Sequence, residues 1–284
     1  MQGAADRVVR EGGLFVGGEF FSVVLVLAIV AMPVILVWAI WYQAHRRKTL
    51  AAWAAASGWT YVGTDPTLVD RWRGEPFGVG HSQRATDVML GRWSGRPVVS
   101  FTYAYTTGSG KSESTYTFHV LAMALPAYLP TLALTPEGVG ARLAKAFGGQ
   151  DIQFESEEFN RAWRVECTDL KFAHDVVHPR LMTRLMRPDA RGARLRISGT
   201  DIISWTGGLT RTEQIAPRLA LLGAVVDAVP RFVWQNHGYD PGPGRVGRPG
   251  LPGAPGASGP PGAPGPSRRT DPPDLPWSDI VGQA

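Results

Sequence analysis

Two histidines four positions apart, in the run His174-Asp175-Val176-Val177-His178, come closest in type and spacing to a metal centre. On a helix this spacing puts both imidazoles on one face, within reach of a single ion. Asp175 then stands where the zinc-hydrolase pattern carries a glutamate base. Three features oppose that chemistry. Asp is one methylene shorter than the usual base, Pro179 follows His178 at once and disfavours helical backbone there, and no third ligand stands at a standard spacing downstream. The run Gly108-Ser109-Gly110-Lys111-Ser112 imitates the end of a phosphate-binding loop, but Tyr105 occupies the place of the required first glycine and strand-like residues follow. It reads as a hairpin tip. Glu155, Glu157 and Glu158 offer carboxylates for acid-base work, yet an acidic run of this density suits a solvated loop. Arg180, Arg184 and Arg187 share a helix face within a longer arginine series that continues through Arg191, Arg194 and Arg196. Such a face attracts anionic lipid headgroups if it lies near a bilayer. Cys167 alternates with apolar partners and reads as packed rather than reactive. Spacing nominates no Ser/His/Asp or Cys/His set, so no catalytic residue is assigned.

These residues are placed by an apolar run, Phe21 to Tyr42, that carries no charge and ends at His45, Arg46, Arg47 and Lys48. A helix of this length crosses a hydrocarbon core of about 30 Å. Pro33 should kink it, while Trp38, Trp41 and Tyr42 form an interfacial belt and Arg46, Arg47 and Lys48 meet the lipid phosphates. Asp6, Glu11 and Glu19 before the run, and the absence of a small-residue cleavage site after it, argue against a cleaved leader. Arg7 and Arg10 precede the span and Arg46, Arg47 and Lys48 follow it, which favours the C-terminal side inside. Residues 1–20 form a flexible arm, and 43–57 continue as a juxtamembrane helix that Gly58 caps.

Residues 58–240 read as an α+β globular domain. WTYVG predicts a first strand and Asp65-Pro66 a turn of helix. Ala85 to Trp93, Pro97 to Thr106 and Thr115 to Leu125 alternate as an antiparallel meander, and Thr131 to Thr135 reads as a short separate strand. A helix is expected from Pro136, a strand over Phe159 to Thr168, and a helix over Leu170 to Met186. A hairpin turning at Gly199-Thr200 and a long helix from Thr212 to Trp234 complete the domain. A mainly antiparallel sheet with two or three packed helices results.

Beyond Asp240 the composition changes to a Pro/Gly-rich tail. From Gly244 to Ser267 glycine recurs at every third position, as GRV, GRP, GLP, GAP, GAS, GPP, GAP and GPS. This is the collagen period; it suits a triple helix that makes a homotrimer, or an extended disordered spacer. The end of the tail holds Trp277 and Ile280 among acidic residues, as a partner-binding peptide would. The net charge of +5 over 284 residues comes from interspersed ions rather than a basic block, which argues against nucleic acid. One cysteine excludes an intrachain disulfide.

The stretches LAAWAAASGWTYVGTDPTLVDRWRGEPFG, PEGVGARLAKAFGGQDIQFESEEFNRAWRV, KFAHDVVHPRLM and AVPRFVWQNHGYDP, after a span closing in HRRK, resemble a family of actinomycete single-span membrane proteins with no assigned activity. The resemblance covers about residues 20–241 and implies bacterial origin and membrane attachment; it brings no catalytic residue and no cofactor. The chain is therefore read as a membrane-anchored, non-catalytic binding or scaffold protein with an unknown protein partner. A metal-dependent hydrolase built on His174, Asp175 and His178, and a stalk trimerised by the Gly-X-Y tract, stand as alternatives.

Overall fold

A computed structural model describes the backbone of residues 5–137 and 150–242, and side chains from 31 onward within those ranges together with Leu25, Leu27 and Ile29, except Gln150 and Asp151. The chain divides into two units, residues 1–52 and 53–284. In the first, helix α1 (Ala5–Ala56) is continuous through Pro33 and runs on into the second unit. The expected span, Phe21 to Tyr42, lies on this helix. Many of its side chains fall outside the described residues, and among those described no helical stretch is long and apolar enough to cross a membrane. From Met32 to Tyr42 the large apolar side chains are exposed, with Met32 at 74%, Leu36 at 61% and Trp41 at 61%.

The second unit opens with the end of α1. Gly58 takes a positive φ of 69° while Trp59 N–H returns to the Ala54 carbonyl, a glycine cap that closes the helix as expected. The seven described strands form one antiparallel sheet: β1 (Thr60–Thr64), β2 (His81–Trp93), β3 (Arg96–Thr107), β4 (Ser114–Pro136), β5 (Gln150–Asp151), β6 (Trp163–Cys167) and β7 (Leu195–Gly207). The order is β1-β2-β3-β4-β6-β5, with β7 also paired to β4. The β2-β3-β4 meander follows the expected alternation, and the GSGKS segment is an exposed 3-10 turn at its β3-β4 tip.

Strand β4 is longer than expected. LPAYLP does not end it; instead the β4-β7 register shifts between Ala124 and Leu129 and again before Leu132. Pro126 and Pro130, which cannot donate to a ladder, sit within these irregular intervals, so the strand bulges and continues. Its partner β7 is one strand rather than a hairpin, with Gly199 at φ 65° opposite the bulge. The helix expected from Pro136 is not begun there, because Pro136 ends β4 opposite Trp163; residues 138–149 lie outside the described residues.

The helices are shorter than the apolar periodicity suggested. Phe159 to Ala162 belong to helix α2 (Glu157–Ala162) rather than to a strand, because Ser156 Oγ accepts the Phe159 N–H at 3.2 Å and Glu157 and Glu158 occupy the positive end. The acidic run is thus a helix start, not a loop. Leu170 to Met186 splits into α3 (Leu170–Val176), capped by Asp169, and α4 (Pro179–Leu185). His178 before Pro179 is extended (φ −79°, ψ 167°), the conformation a following proline imposes. The long helix from Thr212 becomes a 3-10 turn, α5 (Ile215–Ala228) and α6 (Arg231–Asn236), parted at Pro230. The Gly-X-Y tract, Trp277 and Ile280 lie outside the described residues.

Candidate functional site

Alternation along β3, β4 and β7 sends two different sets of side chains to the two faces of the sheet. One face is aromatic. Phe101, Tyr103 and Tyr105 of β3, Phe118 of β4 and Trp205 of β7 join Trp72 and Phe77 in a continuous cluster. Trp72 and Phe77 arrive on the segment between β1 and β2, which crosses this face as a strap. Asp65 Oδ1 accepts the Thr67 N–H and starts the strap with a 3-10 turn. Phe77 then packs 4.9 Å from Tyr103, and Trp72 stacks 5.9 Å from Phe101.

Two charged residues of β7 hold the strap. Asp201 Oδ2 accepts from Arg71 Nε at 3.0 Å, Arg71 Nη2 at 2.9 Å and Trp72 Nε1 at 3.0 Å, whereas Oδ1 has no hydrogen-bond partner. Burial pushes the Asp201 carboxyl above the ordinary range, against the opposing pull of Arg71 and the Trp72 hydrogen bond. Arg196 Nη1 donates to the carbonyls of Gly74 and Glu75, and its guanidinium lies 5.6 Å from the Phe77 ring centre and 5.5 Å from that of Trp205. Burial brings the Arg196 pKa down to about 10, and that of the Tyr103 hydroxyl up to about 12.

The opposite face is a buried polar seam next to α5. Thr102 Oγ1 donates to Asp87 Oδ2 at 3.3 Å, so its lone pairs receive Thr210 N–H at 3.1 Å and the Thr210 hydroxyl at 2.9 Å. Tyr61 donates to Asp87 Oδ1 at 3.4 Å. Ser100 Oγ lies 3.0 Å from His119 Nε2, both residues fully buried. This pair resembles a nucleophile and its base, yet the hydrogen bonds run the other way. The Arg211 N–H faces His119 Nδ1 at 3.5 Å; a backbone N–H only donates, so Nδ1 accepts and the proton belongs on Nε2, which donates to Ser100. A base would need its lone pair there. The carboxylate that a triad requires, Asp87, serves Tyr61 and Thr102 instead.

Arg218 of α5 closes the seam. Its guanidinium donates to the carbonyls of Ser204 (2.7 Å) and His119 (3.2 Å) and to the hydroxyls of Ser204 and Thr206. Burial lowers its pKa to about 10. All of these groups hold β3, β4, β7 and α5 together.

The sites expected from spacing are dispersed. His174 on α3 packs its ring 4.9 Å from Phe154, while His178 precedes α4 and its Nε2 bonds the Ala228 carbonyl at 2.8 Å. The helix break means that they are not successive turns of one helix, and among the described residues no three His, Cys, Asp or Glu gather as a metal site. Arg184 is drawn into a two-pronged pair with Asp189 (3.1 and 2.8 Å), leaving Arg180 and Arg187 as the more exposed members of its expected set. Arg47 and Lys48 are exposed on α1, and Arg46 is half-buried. Cys167 is buried, and burial pushes its thiol pKa up. Of the seam and strap residues, the sequence points only to Asp65, as the start of a helical turn, and to Arg196, as one of an arginine series; it shows neither the contacts of Arg196 nor the roles of Asp201, Asp87, His119 and Arg218. In the seam, the one local signal was polar Ser100, Thr102 and His119 set among apolar strand neighbours.

No family model matches this chain, and no curated protein matches it in sequence. A search of solved structures finds the crystal structure of the mycobacterial trehalose monomycolate transport factor A, TtfA, at 16% identity and a TM-score of 0.49, covering 65% of this chain and 96% of that one.

Proposed function

We propose that this chain is a membrane-anchored, non-catalytic binding or scaffold protein, held by α1 as a single span with its globular domain on the cytoplasmic side. The observation that carries this reading is the band from Met32 to Tyr42, apolar around the helix and exposed throughout its large side chains. Such a surface is unfavourable in water and suited to hydrocarbon, and the cations that follow it suit an inner-leaflet surface. The seam residues Thr102, His119 and Arg218 use their hydrogen bonds to join strands and helix, which favours a structural over a catalytic role for them.

Alkaline carbonate extraction of membranes from expressing cells tests the anchor. The full chain stays with the pellet, and Val34→Arg with Val37→Arg releases it, since each charge at mid-span costs about 3 kcal/mol; extraction of the unaltered chain would overturn the anchor. Orientation is read from Ser112→Cys in a Cys167→Ser background, which an impermeant maleimide labels after lysis and not in intact cells. The scaffold role predicts a discrete assembly larger than one chain on native gels of mildly solubilised membranes. Migration as a single chain overturns that role.

A further inference from the structure

The surface formed by α4 and the turn after it is the most cationic stretch of the described domain. Between Pro179 and Thr200 there are six arginines and one acid, Asp189; Arg196 is buried beneath the strap and Arg194 half-buried, so the surface charge comes from the other four. Leu181 and Leu185 turn inward and are fully buried, which fixes the opposite side of α4 toward solvent. Asp189 takes the fork of Arg184 and ties the 3-10 turn Pro188–Ala190 back to the helix. Arg187 keeps a longer contact with it, 3.7 Å, with two-thirds of its side chain exposed (66%). Ala190 N–H returns to the Arg187 carbonyl and Arg191 N–H to that of Pro188, so Arg187 and Arg191 occupy one tight turn. Arg180, Arg187 and Arg191 are exposed, with Met182 and Met186 half-buried between them.

We infer that this face is a second, electrostatic membrane contact, made by Arg180, Arg187 and Arg191 with the anionic headgroups of the bilayer that holds α1. The inference rests on the membrane-anchored reading above. Alone, three exposed arginines bind anionic lipid weakly, but an anchored domain meets its own bilayer at a local concentration set by the tether, so weak contacts become populated. The guanidinium fork suits phosphate, and the flexible methionines between the arginines tolerate the interface. Each cation contributes about fivefold to the contact equilibrium, hence on the order of a hundredfold for the three.

The full chain is reconstituted into phosphatidylcholine vesicles with or without 30% phosphatidylglycerol. A fluorophore is placed on Thr183→Cys in a Cys167→Ala background, with nitroxide-headgroup lipid as the quencher. Quenching is expected in the anionic vesicles, falling at least threefold in 0.5 M salt and in the variant Arg180→Gln, Arg187→Gln, Arg191→Gln, whose changes leave Leu181, Leu185 and the Arg184–Asp189 pair intact. Equal quenching with and without phosphatidylglycerol, while the chain resists carbonate extraction, overturns this contact and leaves the anchor standing. A chain stripped from the vesicles by carbonate overturns the anchor and this contact together.

Discussion

Trp72 Nε1 donates to Asp201 Oδ2 across 3.0 Å, joining residues 129 positions apart and fastening the strap to the sheet. Arg71 donates to the same oxygen, so one buried carboxylate anchors two consecutive strap residues. Asp201→Ala removes that anchor while Trp72 remains packed on Phe101. The expected cost is about 2 to 4 kcal/mol, from an orphaned indole N–H and a guanidinium that loses its contact with this carboxylate. Limited proteolysis should begin cutting between Val69 and Gly80 in this variant. A strap as resistant as in the unaltered chain would show that aromatic packing alone holds it.

The same carboxyl sets a pH dependence whose sign differs from that of an ordinary ion pair. Its folded pKa is raised, so between about 4 and that value the folded state binds more protons than the unfolded one. Stability therefore falls as pH rises through that window. Oδ1, without a hydrogen-bond partner, is the atom available to carry the proton. Asp201→Asn mimics the neutral form and should flatten this segment of the stability profile, measured by urea midpoints from pH 4 upward. An unchanged slope would assign the dependence to other groups.

Arg218 gives a comparable test on the opposite face. Replacing it with Met keeps much of the volume and leaves the carbonyls of His119 and Ser204 without this donor, at an expected cost of about 2 to 4 kcal/mol and a Tm lowered by several degrees. Lysine should recover only part of the loss, because a point charge cannot span acceptors that the planar fork reaches together. Full recovery by lysine would mean that charge, not geometry, fixes α5.

The reach of the sequence follows from the range of these contacts. The β2-β3-β4 meander was legible because alternation and tight turns are local, as was Asp65 as a cap. Strand β4 was misread at Pro126 and Pro130, since a bulge that accommodates proline depends on the partner strand. Pro179 did signal the end of α3, but the whole of Leu170 to Met186 reads as helical in sequence, and only the extended backbone of His178 divides it. The seam was hidden for a stronger reason: His119 and Arg218 are 99 positions apart and meet only once β4, β7 and α5 have packed. Small polar residues such as Ser100 and Thr102, alternating with aromatics, give the pattern of a strand with one solvated face. The structure buries both faces.

The Ser100–His119 pair yields a prediction about proton position. With Nδ1 accepting from Arg211 N–H, the neutral ring carries its hydrogen on Nε2. The nitrogen-15 shifts of the imidazole should report that tautomer near neutral pH. Ser100→Ala removes a hydrogen-bond acceptor and should cost about 1 kcal/mol while leaving the tautomer in place. A ring protonated on Nδ1, with its Nε2 lone pair toward Ser100, would reverse the reading and make the serine a candidate nucleophile.

Gly91 of β2 supplies the sharpest packing test. A Cβ built there would lie 2.3 Å from Trp59 Cδ2 and 2.4 Å from Cε2, so the indole rests directly on the strand backbone. Trp59 is buried and meets Trp53 edge to face at 5.5 Å. Gly91→Ala should displace the indole and destabilise the domain by about 1 to 3 kcal/mol, the usual cost of overpacking. If the clash is the cause, the substitution becomes nearly neutral once the ring is removed, so a double-mutant cycle with Trp59→Leu should show a coupling of at least ~1 kcal/mol. An equal cost in both backgrounds would place the constraint in the β2 backbone and not in the glycine-indole contact.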